Sequence, residues 1–347
     1  MKVLFLTPWY PSQADAMAGL FVRKHADAVR AQGCEVRVIH SQTWLDMWRQ
    51  WRTLRREGWM PDIVQLNVIQ KQGFLALWLK RRYHIPYIII EHWSGYLPEN
   101  GQYLRQPAVK KYFAETICRN AERVLAVSPA LENAMQKCGL EARQWGRINN
   151  VVDDFFFEIP KYRNIKISSH LKTLLHVSCF DEKAKNTSAL LRGFKELSAR
   201  RNDVQLVMVG TGVDWKASQA LSSELAIPPS QILWTGEQTP EQVCEWLHRA
   251  DAFVLTSRYE TAAIVLAEAF ASGIPILSTP VGIATEIVTP DTGLIIPQEN
   301  ANRPMRLSKY LERIIELPKY DSQGKEFSAY TVGKQLKDIY TQCTVSE

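Results

Sequence analysis

Short apolar runs alternate with amphipathic segments along most of this chain, and the alternation restricts the folds that it can adopt. The first run is KVLFLT at 2–7, followed by a helical pattern at 19–33 and the strand EVRVIHS at 35–41. A strand, a helix and a second strand in this order are typical of a parallel sheet covered by helices. The order continues through PDIVQLNVI, PYIIIEHW and RVLAVS, which predicts a doubly wound α/β domain.

A polar stretch at 153–170, which contains Pro160, interrupts this order. The alternation then restarts at TLLHVSCF and continues to about residue 318. A chain of 347 residues has room for two domains of ordinary size. The sequence therefore predicts a first domain at 1–158, a second at 171–318 and a helical tail at 319–347. In the first domain, Ser128 is expected to cap a helix that begins at Pro129 and stops at Gly139.

Net charge differs between the two halves. The first 150 residues contain 21 Lys and Arg against 12 Asp and Glu, whereas the remainder contains 21 against 24. The basic half is suited to nucleic acid, an anionic membrane or an acidic substrate, and charge alone does not choose among them.

Cellular location is indicated by what the sequence lacks. The six cysteines show no C-x-x-C or zinc spacing, which favours free thiols in a reducing cytoplasm. No apolar run reaches the roughly 18–20 residues that a membrane-spanning helix needs, and the opening run is better interpreted as a strand than as a signal peptide. We therefore expect a cytoplasmic protein.

Two glutamates in the second domain have the most informative spacing. Glu260 follows the strand AFVLTS, and Glu268 lies eight residues later on a predicted helix. Eight helical residues span about 12 Å, the length of a sugar diphosphate joined to a ribose. Residues 261–265 are expected to form the first helical turn, where backbone N–H groups and the helix dipole favour an anion. Surface glutamates at this spacing are also common, so the pair alone does not decide.

The surrounding segment, SRYETAAIVLAEAFASGIPILSTPVGIATEI, resembles the E-x7-E signature of glycosyltransferase family 4, in the GT-B superfamily. Further blocks match that family in order: MKVLFLTPWYPS, PYIIIEHW, RVLAVSPAL, INNVVDDFF, KNTSALLRGF and VMVGTG. The resemblance implies two doubly wound, Rossmann-like parallel-sheet domains that face each other across a cleft, with the C-terminal helix returning to the first domain. It also implies a retaining hexosyltransferase that uses a nucleotide-sugar and no cofactor.

Residue by residue, the resemblance implies three catalytic positions. Glu260 would hold hydroxyls of the donor sugar, Lys185 would bind its phosphates, and His92 would contact the transferred sugar from the acceptor side. Glu91 is a candidate for holding His92 or contacting acceptor. The donor-binding residues implied by the helix argument and the resemblance together are Gly19, Gly210, Arg258, Thr261, Ile264, Val265 and Glu268.

The sequence departs from the family pattern at positions that would bind the diphosphate of the donor. Where the family has Gly-Arg, this chain has Ser178-Cys179, so one expected cation is replaced, and Lys183 or Arg258 is a candidate substitute. The family's Phe-Gly is Ala262-Ala263 here, which loses a glycine's backbone freedom. No D-x-D occurs, and that pattern would supply hard ligands for Mg²⁺ or Mn²⁺. We therefore expect no metal site, with Lys185 and a helix N-terminus neutralising the leaving group.

The segment TWLDMWRQWRTLRREGW, at 43–59, combines aromatic and basic residues at helical spacing. Basic amphipathic helices with tryptophan favour membrane interfaces, but such a helix also packs on a sheet with a solvated arginine face. Both interpretations stay open, and a lipid-linked acceptor would fit the basic domain. The candidates for contact with an anionic membrane or acceptor are Trp48, Arg49, Arg52, Arg55 and Arg56.

The sequence thus favours a glycosyltransferase that moves a sugar from a nucleotide-sugar to a glycan or lipid-linked acceptor. This activity would serve synthesis of cell-surface polysaccharide or glycolipid, in the cytoplasm or on the inner face of the membrane. The alternatives are a catalytically decayed binding protein and a nucleotide-sugar epimerase. No motif supports nucleic-acid binding.

Overall fold

The computed structural model describes residues 1–12, 17–158 and 171–345. Residues 13–16, between the first predicted strand and the first predicted helix, and residues 159–170 of the polar stretch, including Pro160, lie outside this part. The chain divides into two compact units, one of Met1–Val151 with Glu326–Glu347 and one of Val152–Lys325. No helix among the described residues is both long enough and apolar enough to cross a membrane.

The first unit is built on a six-stranded sheet with the order β2-β1-β3-β4-β5-β6, in which all paired strands are parallel. Strands β3 and β4 (IVQLN and YIIIE) are buried at every position, as expected of strands covered on both faces. The strands are β1 Lys2–Thr7, β2 Glu35–His40, β3 Ile63–Asn67, β4 Tyr87–Glu91, β5 Arg123–Ala126 and β6 Trp145–Arg147.

Five helices of the first unit precede the second unit in the described part of the chain: α1 Leu20–Ala31, α2 Trp44–Arg56, α3 Gln72–Tyr83, α4 Ala108–Asn120 and α5 Pro129–Lys137. Among these five, side chains cap the N-termini of α2 and α5. The Ser128 side chain accepts a hydrogen bond of 3.2 Å from the Leu131 N–H, and Pro129 occupies the first helical turn. The predicted cap of α5 is therefore confirmed, with Gly139 in the left-handed region just after the helix.

The second unit has a parallel six-stranded sheet with the order β12-β11-β10-β7-β8-β9. Its first strand, β7, lies between β8 and β10, so the connections reverse direction at β7 and leave a crevice at the carboxyl ends of β7 and β10. The strands are β7 Lys172–Val177, β8 Val204–Val209, β9 Ile232–Gly236, β10 Ala252–Leu255, β11 Ile276–Ser278 and β12 Gly293–Ile295.

Eight helices belong to this unit in the described residues: α6 Glu182–Lys185, α7 Thr187–Ser198, α8 Trp215–Glu224, α9 Pro240–Arg249, α10 Ile264–Ala271, α11 Ala284–Ile287, α12 Gln298–Ala301 and α13 Pro304–Ile314. Helix α13 was not predicted from the sequence. Its apolar face joins the buried core of the unit through Leu307, Leu311 and Ile314.

The last helix, α14 Ala329–Val345, packs on α1 of the first unit. Close approach requires Gly333, since a Cβ there would lie 2.4 Å from the Ala28 carbonyl oxygen. The buried Tyr340 hydroxyl donates to Gln65 on β3. Each unit taken by itself is therefore a doubly wound α/β fold, and the prediction that the C-terminal helix returns to the first domain is confirmed.

Candidate functional site

The crevice of the second sheet brings together two residues that are 75 positions apart. Lys185 follows β7 and Glu260 follows β10, and the Lys185 Nζ donates to Glu260 Oε1 at 2.6 Å. Ser257 donates its hydroxyl to the same oxygen at 2.8 Å. The Lys185 and Glu260 side chains are only 16 % and 12 % exposed, so the pair forms in a partly dehydrated setting.

The charge state of Lys185 follows from two opposing effects. Burial alone would lower the pKa of its ammonium group, but the negative charge of Glu260, followed by the influence of Cys179, outweighs burial and raises that pKa. Lys185 is therefore a cation at neutral pH. An ammonium group has three donors, so Lys185 can hold Glu260 and still donate to phosphate oxygens.

A hydrogen-bonded network holds the short helix α6, which ends at Lys185. The Glu182 carboxylate accepts from the Ser188 N–H, the Ser188 hydroxyl and the Thr187 hydroxyl at the start of α7. Arg258 donates to Glu182 and to the side-chain oxygen of Asn186. Burial would raise the pKa of Glu182, yet these donors lower it below its usual value, so Glu182 is ionised. The guanidinium of Arg258 thus braces the segment that carries Lys185, and its role as a substitute phosphate ligand stays a prediction.

The helix that carries Glu268 begins later than predicted. Residues 261–265 were expected to form its first turn, but α10 starts at Ile264, and Thr261 lies in the preceding bend. The reason is Ala263, whose left-handed conformation at φ 59° lies outside helical geometry. The Ile264 and Val265 amides open the helix and are the anion-binding groups that remain from the prediction. Glu268 lies partly buried in the second turn.

Gly210 and Cys179 lie on loops that touch at the ends of β7 and β8. A Cβ at Gly210 would lie 2.0 Å from the Ser178 carbonyl oxygen, and one at Gly212 would lie 1.9 Å from that of Cys179. These glycines therefore allow the two loops to meet. Cys179, where the family has arginine, is exposed and close enough to influence the pKa of Lys185.

The remaining site candidates belong to the first unit. His92 directly follows β4, is buried, and packs its ring on Phe21 at 4.2 Å. Burial lowers its pKa well below the usual histidine value, so the imidazole is neutral at pH 7. Its Nε2 has no hydrogen-bonding partner among the described residues. Gly19 precedes α1 at φ 65°, where a Cβ would lie 2.4 Å from the Trp9 carbonyl group.

Glu91 holds the backbone around His92. Its carboxylate is fully buried and accepts from the N–H groups of Ile69, His92 and Trp93 at 2.8–3.0 Å. Burial raises its pKa to about 7 against the opposing effect of these bonds. Glu91 therefore joins the loops that follow β3 and β4.

The aromatic side chains of α2 mainly pack inside the first unit. Trp48 contacts Trp78 edge-to-face at 4.9 Å, and Trp51 is buried against Trp78 and Tyr83. This is the packing interpretation of the segment, with arginines on the outer face. The exposed arginines are Arg49, Arg52, Arg55 and Arg56.

Sequence reasoning missed Ser257 and Glu182, which hold Glu260 and the Lys185 segment. Ser257 lies three residues before Glu260, and Glu182 lies three before Lys185; no pattern marks either residue. Among the residues that the structure describes, no group of three or more His, Cys, Asp or Glu side chains is placed to hold a metal ion.

Comparison with known protein families divides the chain into an N-terminal and a C-terminal part. Residues 2–154 match the model of Glycosyltransferase Family 4, and residues 159–329 match that of Glycosyl transferases group 1. The GDP-mannose-dependent alpha-mannosyltransferase of Mycobacterium tuberculosis is 25 % identical over 282 residues, which are 78 % of this chain and 70 % of that protein. The N-acetyl-alpha-D-glucosaminyl L-malate synthase of Bacillus anthracis is 29 % identical over 177 residues, which are 50 % of this chain but only 45 % of that protein.

Solved structures agree with the fold. Sucrose-phosphate synthase from Thermosynechococcus elongatus superposes with a TM-score of 0.80 at 19 % identity, with all of both chains covered. Anabaena HepE in complex with UDP-glucose superposes with a TM-score of 0.71 at 18 % identity over 99 % of this chain and 100 % of that one. The two family models follow one another along nearly the whole chain, and the chain therefore belongs to the glycosyltransferases, with a Family 4 half followed by a group 1 half.

Proposed function

We propose that this protein transfers a sugar from a nucleotide-sugar to a glycan or lipid-linked acceptor, with retention of configuration, in the synthesis of cell-surface polysaccharide or glycolipid. The observation that carries the proposal is the Lys185–Glu260 pair beside the start of α10, at the strand reversal of the second sheet. Ligands of doubly wound folds bind at this position.

The donor would lie along the start of α10. Lys185 and the amides of Ile264 and Val265 would bind the diphosphate, Glu260 would accept from sugar hydroxyls, and Glu268 would accept from the ribose. The solved complex of HepE with UDP-glucose supports a nucleotide-sugar as the ligand class, and the mannosyltransferase relative is named for GDP-mannose. The base and the sugar of this protein's donor are left to the experiment below.

The transfer step separates charge, because the bond between the sugar C1 and the phosphate oxygen breaks as C1 becomes oxocarbenium-like. Lys185 and the α10 amides would stabilise the negative charge that develops on the leaving phosphate. We favour attack on the same face, with the leaving phosphate accepting the acceptor's proton. Neutral His92 would donate or accept a hydrogen bond to the transferred sugar through its unpartnered Nε2. Neutralisation by Lys185 and the amides makes a metal ion unnecessary in this scheme.

A lipid-linked acceptor would also determine where in the cell the protein acts. The four exposed arginines of α2 would bring the first unit to an anionic membrane from the cytoplasmic side. Trp48 does not contribute to this contact in our proposal, since its ring packs on Trp78.

The test is a thermal-shift screen with UDP, GDP, ADP and their sugars, because a ligand that binds the folded state raises the melting temperature. Glu268→Ala should remove the shift, whereas Glu299→Ala, at an exposed glutamate of α12, should keep it. Lys185→Ala and Glu260→Ala should abolish donor turnover. If no nucleotide shifts the wild type, or if Glu268→Ala shifts as much as wild type, the proposed donor site is wrong.

One observation favours a second candidate, a decayed protein that binds nucleotide or carbohydrate without catalysis. Cys179 lies beside Lys185 where the family has arginine, so the diphosphate would meet one cation fewer. Measurable transfer or hydrolysis of a nucleotide-sugar by the wild type would reject this candidate.

A further inference from the structure

A pocket of about 480 Å³ opens within the first unit, where the loops after β3 and β4 meet the start of α3 and α4. This volume lies in the range of small-molecule sites. One wall is the stacked pair Phe74 and Phe113, with ring centroids 3.6 Å apart. The lining also includes Trp93, Tyr96 and Tyr103, whose rings contact one another in sequence at 5.1 Å and 4.8 Å.

The pocket is held open by groups that the catalytic scheme leaves unused. Glu91 fixes Ile69 and Trp93, which both line the pocket, by accepting from their N–H groups. Gly95 leaves room for the Trp93 ring, since a Cβ there would lie 2.1 Å from it. The aromatic wall is therefore built in advance of any ligand.

The polar groups of the pocket select for an anion. Lys71 and Lys110 line it, and the lining includes no aspartate or glutamate among the described residues. Tyr103 is 3 % exposed, and its hydroxyl has no hydrogen-bonding partner in the described chain. A buried hydroxyl without a partner is unfavourable, and a phosphate oxygen from a ligand would satisfy it.

The rim of the pocket is apolar. Phe74, which lines the pocket, is 43 % exposed, and Trp44 is 44 % exposed. Trp44 lies 5.0 Å from Phe74, between ring centroids, and extends the rim along α2. Exposed apolar side chains grouped around a pocket mark a binding surface rather than ordinary surface. A water-soluble phosphosugar would leave this rim uncovered, whereas a lipid chain would cover it.

We infer that this pocket binds the acceptor, and that the acceptor is a phosphorylated lipid whose phosphate contacts Lys71, Lys110 and Tyr103 while its chain lies on the apolar rim. Only the statement that this ligand is the acceptor rests on the proposed function. The binding itself is a property of the first unit.

Binding is measured on the full chain by titration calorimetry with decyl phosphate below its critical micelle concentration. Inorganic phosphate, glucose 1-phosphate and decan-1-ol are the comparisons. We expect decyl phosphate to bind at least about tenfold more tightly than each of them, since only it offers both the charge and the chain. Lys110→Gln should weaken binding of decyl phosphate about fivefold and leave decan-1-ol unchanged. The matched control is Lys334→Gln, at an exposed lysine of α14.

Tyr103→Phe separates ligand binding from a structural role. The hydroxyl has no partner in the described chain, so its removal should leave the melting temperature unchanged or higher while decyl phosphate binds at least about threefold more weakly. A fall in melting temperature with unchanged affinity would overturn the assignment of Tyr103.

Three results would overturn the inference as a whole. They are equal affinity for glucose 1-phosphate and decyl phosphate, unchanged affinity in Lys110→Gln, and binding to phosphatidylglycerol vesicles without binding to decyl phosphate. The nucleotide screen on the same preparation distinguishes the two proposals. A nucleotide shift without decyl phosphate binding rejects only the pocket, and the reverse rejects only the donor site.

Discussion

Lys185 and Glu260 form an ion pair of 2.6 Å between the ends of two adjacent parallel strands, β7 and β10. Resemblance to the family assigns them separate tasks, one on phosphate and one on sugar hydroxyls. The structure places the carboxylate so that it balances the cation before any donor binds. The incoming diphosphate must therefore share Lys185 with Glu260, and this relationship has consequences for variants.

Loss of Lys185 alone should weaken nucleotide binding more than loss of both Lys185 and Glu260. In Lys185→Ala the Glu260 carboxylate faces the diphosphate without compensation, and we expect nucleoside diphosphate affinity to fall about tenfold or more. The double variant Lys185→Ala/Glu260→Ala removes that repulsion and should bind more tightly than the single variant. Calorimetry with the nucleotide selected by the screen measures this. A larger fall in nucleotide affinity for Lys183→Ala, at the exposed lysine of the same helix, would show that Lys183 rather than Lys185 binds the phosphate.

A second cation at Cys179 should strengthen donor binding. Cys179 is exposed and influences the pKa of Lys185, so an arginine there would lie near the same phosphates. We expect Cys179→Arg to raise nucleoside diphosphate affinity several-fold, up to about tenfold. Cys179→Ser, which adds no charge, is the control and should match wild type. Equal affinity of all three forms would show that the diphosphate does not approach this residue.

Ala263 is strained by its conformation before α10. A residue with a Cβ destabilises the folded state by about 1 kcal/mol when it adopts the left-handed conformation. Glycine removes this strain, but its greater conformational entropy in the unfolded state offsets part of the gain. Ala263→Gly should therefore raise the free energy of unfolding by about 0.5 kcal/mol in urea titration. Ala267→Gly, within the same helix and at ordinary geometry, should lower it by about 1 kcal/mol. Destabilisation by both variants would contradict the left-handed assignment.

Stability should fall with acid through buried His176. Its ring bonds the Val254 carbonyl and the Ser178 hydroxyl, and burial lowers its pKa to about 4 from 6.5. Because the unfolded chain binds this proton first, the contribution is complete above pH 6.5 and is lost as pH falls towards 4. Between pH 7 and pH 5 the loss is about 2 kcal/mol.

The variant His176→Gln isolates this effect. At pH 7 its free energy of unfolding should be lower than that of wild type. Between pH 7 and pH 5 that free energy should fall by about 2 kcal/mol less than it does in wild type. His84→Asn, at an exposed histidine, is the matched control. An unchanged slope in His176→Gln would show that this ring takes up a proton as readily when folded.

Removal of divalent metal should leave transfer intact. The scheme uses Lys185 and the α10 amides to neutralise the leaving phosphate, so turnover after EDTA treatment and desalting should stay within about twofold of the untreated enzyme. Added Mg²⁺ or Mn²⁺ should change it little. Loss of activity that Mg²⁺ restores would require a metal in the mechanism.

Local sequence determined the elements of this protein. Strands of the first unit were predictable because apolar runs such as YIIIE are buried on both faces, and α5 because Ser128 and Pro129 are signals within a few residues of the helix start. The segment around Glu260 and Glu268 also predicted a helix here, but the predicted first turn at 261–265 was wrong, since α10 begins at Ile264. Ala263 adopts a backbone conformation that tertiary contacts impose, including the bond from the Ile283 N–H to the Ala262 carbonyl.

Tertiary structure alone decided which side chains meet. The pairing of Lys185 with Glu260 depends on strand order, since β10 lies beside β7 only after the sheet has formed. The same holds for Trp48, whose contact with Trp78 depends on how α2 and α3 pack against each other. Propensity and spacing act over a few residues, whereas contacts between distant residues depend on the packing of whole elements. The aromatic pocket near Tyr103 joins segments from four elements, and no local pattern in the sequence marks it.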